Sequence, residues 1–66
     1  MDFSFGAGVK KKRTEHGLSQ QKLADACWVS QACIASIESG ARIPSFPLAY
    51  KIAEALGTTI DELIKG

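Results

Sequence analysis

The punctuation of this chain limits it to short elements. Gly17, Gly40 and Gly57 each follow a helix-like segment, and Ser19, Ser30, Ser45 and Thr59 each precede one. Glycine enters the left-handed region without a Cβ clash and so ends a helix at little cost. A hydroxyl at the opposite end accepts from backbone N–H groups that have no helical partner. The spacing predicts five helices, over about Phe5–His16, Gln20–Cys27, Gln31–Ser39, Phe46–Leu56 and Ile60–Lys65. Val9 anchors the first, whose start Gly6 and Gly8 weaken. Leu23, Ala24 and Cys27 share one face of the second, and Ile34 and Ile37 lie three apart on the third. In the fourth, Leu48, Ile52 and Leu56 form an i, i+4, i+8 stripe with Ala49 and Ala53 beside it, and Pro47 occupies the first turn, where no N–H is required. Thr59–Glu62 fits a capping box, and Ile60, Leu63 and Ile64 give the fifth helix its apolar face. No useful stretch alternates with period two. The expected fold is therefore all-α, one compact five-helix domain over residues 1–66.

Composition narrows the function classes. With 45% hydrophobic and 23% charged residues, the chain reads as globular rather than disordered. The stretch Met1–Arg13 shows no export leader, and no run is long enough to span a bilayer, which points to the cytoplasm. Cys27 and Cys33 then read as reduced thiols; six apart, with His16 the only histidine, they match no zinc-ligand spacing. No metal, cofactor or small-molecule ligand is expected. No nucleophile–base pair or glycine-rich phosphate loop is evident, so an enzyme is not expected. The net charge is only +1, but Lys10, Lys11, Lys12, Arg13 and Lys22 gather in the first third. That run suits either a solvated helix face or a nucleic-acid surface.

The two short helices joined at Trp28–Ser30 carry the functional signal. Their lengths and the three-residue turn have the geometry of a helix-turn-helix over about 19–40, whose second helix enters the DNA major groove. The surrounding residues carry a resemblance. They are Leu18–Gln20 (LSQ), Leu23–Ala24, Val29–Gln31 (VSQ), Ile34, Ile37–Glu38, Gly40, Arg42, Pro44–Ser45, Lys51–Gly57 (KIAEALG) and Asp61–Leu63 (DEL). In this order and spacing the chain resembles the XRE-type helix-turn-helix family, which includes the lambdoid phage repressor and Cro DNA-binding domains. The resemblance implies a sequence-specific, double-stranded-DNA-binding regulator, a repressor acting as a homodimer on a palindromic operator. It implies that Gln31, Ala32 and Ser36 face bases. Gln20 would contact phosphate and buttress the reading helix, and Ser39 and Arg42 would contact phosphate just after it. Arg13 would pair with Glu38, and Phe46, Ile60 and Ile64 would form the dimer surface.

Elementary chemistry limits each role. Gln31 can make a bidentate contact with adenine, worth ~1–3 kcal/mol of discrimination. Ala32 offers only a methyl to thymine, and Ser36 bonds either way. The reading helix carries no lysine or arginine, so attraction must come from Arg42, Lys22, the Lys10–Arg13 run and the helix N-termini capped by Ser19 and Ser30. Two residues depart from the family pattern. Ala41 stands where a lysine or arginine is common. Trp28 stands in the turn where glycine is usual, so either the turn differs or packing of the indole compensates. Trp28 is expected to be a core or rim aromatic rather than a DNA contact, and Cys33 a small semi-buried residue. The competing reading is an antitoxin-like or adaptor module that binds protein through the same fold; low net charge favours it.

Overall fold

The computed structural model describes residues 5–65; the first four residues of the stretch read for an export leader lie outside them. The elements are α1 (Phe5–Glu15), α2 (Gln20–Cys27), α3 (Gln31–Ser39), α4 (Phe46–Ala55) and α5 (Ile60–Lys65), with no strand among the described residues. The all-α, five-helix expectation holds. Two C-terminal bounds are one residue shorter than expected. The His16 and Leu56 N–H groups still bond four residues back, but the chain turns at once through Gly17 (φ 69°) and Gly57 (φ 66°). No helix is long and apolar enough to cross a membrane among the described residues.

Each expected hydroxyl cap forms. Ser19, Ser30, Ser45 and Thr59 accept from the N–H groups of Lys22, Cys33, Leu48 and Glu62 at 3.0, 3.1, 3.4 and 3.2 Å. Three of the C-terminal ends share one hydrogen-bond pattern. After α1, Gly17 N–H donates to Thr14 and Leu18 N–H to Arg13; after α4, Gly57 donates to Glu54 and Thr58 to Ala53. This paired closure requires a left-handed residue, which glycine supplies. After α2 the same two bonds run from Trp28 to Asp25 and from Val29 to Ala24, and the left-handed residue is Trp28, at φ 62°, ψ 37°. The turn thus keeps the form that glycine usually supplies.

The indole does not compensate by packing inward. Trp28 is 87% exposed, which corrects the expectation of a core or rim aromatic. It borders a shallow hollow with Ala26, Lys51, Glu54 and Ala55. Left-handed backbone projects the Cβ away from α2, so Val29, not Trp28, folds back against the core.

The helices enclose one cluster. Phe5, Val9, Leu23, Ile34, Ile37, Ile52, Leu56 and Leu63 are at most 1% exposed, each side chain contributing about 1.5–3 kcal/mol of burial. Phe5, read only as a helix start, belongs to this core. In α4 the buried face is Ala49, Ile52 and Ala53, continued by Leu56 just after its end, with Leu48 partly buried at its edge. Cys27 and Cys33 are both buried free thiols, and burial pushes the Cys27 thiol up from its ordinary pKa. α1 packs against α5 and α3, and its two early glycines are what permit this. A Cβ on Gly6 would collide with the Ile37 carbonyl oxygen, and one on Gly8 with that of Leu63. Gly6 and Gly8 therefore serve close helix approach; their low helix propensity is the lesser effect.

Candidate nucleic-acid interface

The α2–turn–α3 unit sets two helix N-termini side by side. Ser19 opens α2 and Ser30 opens α3, so each N-terminus has one N–H group capped and others directed outward. Cys33, Ile34 and Ile37 turn one face of α3 into the core. The opposite face leaves Gln31 and Ala32 exposed and Ser36 half-buried. Small and neutral groups on that face let the helix approach a groove without a steric or charge barrier. The core pattern of α3 thereby fixes which residues remain for contact.

Behind this face, four side chains join three helices. Arg13 of α1 donates from Nε and Nη2 to the two Glu38 carboxylate oxygens at 2.6 and 3.1 Å, and from Nη1 to the Leu18 carbonyl at 2.7 Å. Gln20 Nε2 donates to Glu38 Oε1 at 3.0 Å. Gln31 Nε2 donates in turn to Gln20 Oε1 at 2.6 Å. Burial alone would push the Glu38 carboxyl up, since its side chain is only 3% exposed. The hydrogen bonds from Arg13 and Gln20, with the Arg13 charge, more than offset this and hold it below the ordinary carboxylate range. Hydrogen bonding to Glu38 likewise raises the Arg13 pKa. Arg13 is thus occupied within the fold, although it ends a run of lysines.

A second cluster closes α3. Ser39 Oγ donates to the Ser36 carbonyl at 3.0 Å and accepts from Ala41 N–H at 3.4 Å. The Arg42 N–H donates to the same Ser36 carbonyl at 3.1 Å, which holds the exposed Arg42 beside the end of the helix. The structure thus gathers Arg13, Glu38, Gln20 and Gln31 into one network, and Ser36, Ser39 and Arg42 into another. Of the lysine run, Lys12 lies 3.9 Å from Glu15.

Two of the three candidate dimer residues line one surface hollow. Phe46, 73% exposed, and partly buried Ile60 line a surface hollow of about 450 Å³. Ile64 lies on α5 outside that lining. Sequence reasoning missed Tyr50, which lines the same hollow and is more than half exposed. Its signal was present: Phe46 and Tyr50 are four apart, off the buried stripe of α4.

The comparisons with known proteins agree with this geometry. The helix-turn-helix family profile matches residues 9–63. The uncharacterized HTH-type transcriptional regulator MJ0272 of Methanocaldococcus jannaschii is 40% identical over 55 residues, 83% of this chain and 83% of its own. The SPbeta prophage-derived uncharacterized HTH-type transcriptional regulator YonR of Bacillus subtilis is 36% identical over 62 residues, 94% of this chain but 57% of its own length. The chain therefore spans little more than half of that relative. Among solved structures, the restriction-modification controller protein C.AhdI from Aeromonas hydrophila superposes with a TM-score of 0.86 at 33% identity, covering 92% of both chains. A hydroxypropylphosphonic acid epoxidase from S. wedmorenis contains a similar fold over 33% of its chain, at TM-score 0.83 and 23% identity, a likeness of fold alone. By profile, relatives and paired-helix geometry, this chain belongs to the XRE-type helix-turn-helix family of transcriptional regulators, a DNA-binding fold.

Proposed function

We propose that this protein is a sequence-specific repressor that binds a palindromic operator in cytoplasmic DNA as a homodimer, with α3 in the major groove. The observation that carries the reading is the Gln31–Gln20 hydrogen bond at the paired N-termini of α2 and α3. It orders an exposed amide at the point of α3 that would enter the groove first. Gln31, Ala32 and Ser36 are the base-facing residues of this reading. Gln20, Ser39 and Arg42, with the α2 and α3 N-termini capped by Ser19 and Ser30, meet the phosphates. Arg13 and Glu38 hold α1 to α3. One reading helix covers only a few base pairs. A second copy about 34 Å away reads the other half-site, a separation that a molecule 30 Å in its longest dimension can set. Phe46, Ile60 and Ile64, with Tyr50, are the proposed self-contact residues.

Selection from random oligonucleotides, with the mass of the complex measured alongside, tests this reading. The expected result is an enriched inverted repeat bound by two copies. A complex that forms on all sequences alike sinks the sequence-specific reading. No DNA complex at low salt would favour the adaptor or antitoxin-like role instead.

A further inference from the structure

We infer that Glu38, which meets no base itself, decides which base Gln31 accepts by fixing the direction of the hydrogen-bond chain Gln31–Gln20–Glu38. The inference rests on the DNA-reading role proposed above. A primary amide has an accepting end and a donating end, and its environment chooses which way it points. An ionised carboxylate can only accept. Glu38 is kept in that state by Arg13, whose Nε and Nη2 both donate to it. Gln20 must therefore present Nε2 to Glu38, as it does at 3.0 Å. Its Oε1 then faces Gln31, which must donate through Nε2, at 2.6 Å.

This order leaves Gln31 with one N–H and its carbonyl oxygen. One donor beside one acceptor matches adenine, which presents N7 as acceptor and N6–H₂ as donor. It mismatches guanine, whose N7 and O6 both accept. A chain running the opposite way would leave Gln31 with two N–H groups, which suit guanine. That reversal would set the Gln20 oxygen against the Glu38 carboxylate, two acceptors facing each other where Glu38 is nearly out of water. Glu38 is thus a positioning residue for specificity, and Arg13 keeps it an acceptor.

The test compares adenine with guanine at the operator position whose preference Gln31→Ala abolishes. Competition binding is measured for the full chain and for Gln20→Met, Glu38→Gln and Arg13→Lys, each well below its own Tm. The full chain should favour adenine by roughly 5- to 150-fold. Gln20→Met cuts the chain while leaving the Arg13–Glu38 pair in place, and Glu38→Gln allows either direction. Both should reduce the preference at least fivefold. Arg13→Lys keeps a charged partner and an accepting Glu38, so it should lower Tm yet retain the preference. A purely structural pair would make Glu38→Gln and Arg13→Lys behave alike, and that result overturns the inference. Should Glu38→Gln not fold, Gln20→Met decides: an unchanged preference there sinks the chain. Failure of the full chain to enrich any motif defeats the DNA-reading role itself, and the inference with it.

Discussion

A tryptophan in a left-handed turn with its ring in water is a local conflict that the fold tolerates. Left-handed backbone costs an L-residue roughly 1–2 kcal/mol, and glycine gives back part of the relief through a freer unfolded chain. Trp28 loses little packing on removal, being 87% exposed. Trp28→Gly should therefore stabilise the fold by about 0.5–1 kcal/mol. A helix-monitored melt should rise by roughly 2–8 °C; a fall would mean that the indole is held by contacts on its hollow. Sequence reasoning found the odd residue but not the direction of its ring, because that direction depends on whether the turn keeps its left-handed form at a residue other than glycine. Glu38 has a pH signature. Its folded pKa lies below its ordinary value, so its contribution is complete above the ordinary carboxylate range and is lost as pH falls through the lowered folded value. Acid titration of Glu38→Gln should lack that share of the stability loss, while its stability at neutral pH is lower. The proposed base and phosphate contacts separate at this scale too. Gln31→Ala should change which sequence is preferred, whereas Arg42→Ala should weaken all sequences alike and reduce the salt slope by about one per protomer.

Among the helices, ends were legible and approaches were not. Serine, threonine and glycine act through bonds to residues two to five positions away, so Ser19, Ser30, Ser45, Thr59, Gly17 and Gly57 could be read from local spacing. Gly6 and Gly8 act on Ile37 and Leu63, distant in the chain, and local propensity says only that they weaken α1. The two readings predict opposite signs. By propensity, glycine to alanine in a helix gains up to ~1 kcal/mol. By geometry, the new Cβ meets backbone oxygen and must push α1 off α3 or α5, and overpacking of this kind costs roughly 1–3 kcal/mol or more. Both Gly6→Ala and Gly8→Ala should lower the urea midpoint. A higher midpoint for either would show that α1 can shift without loss.

Taken whole, the molecule sets the exposed face of α2 and α3, proposed above to read DNA, apart from an aromatic hollow on α4 and α5. The core pattern made the first legible, since burying Ile34 and Ile37 leaves only one face of α3 for contact. The Gln20–Glu38 bond was not legible, because it joins the start of α2 to the end of α3. The hollow was half legible: Phe46 and Ile60 meet there, but Ile64 falls outside and Tyr50 enters. If the hollow joins two copies, Phe46→Glu should shift the sedimentation mass toward a single chain. It should also weaken binding to a full operator far more than to a half-site. Equal losses on both would place the self-contact elsewhere. The exposed ring at the turn also makes an optical reporter. Trp28 is the only tryptophan, and it is already in water when the protein is folded. Its emission should sit near the solvent-exposed wavelength in both the native and the denatured chain, so fluorescence is nearly blind to unfolding and circular dichroism must follow the helices. By the same token, a blue shift on mixing reports that something has covered the turn.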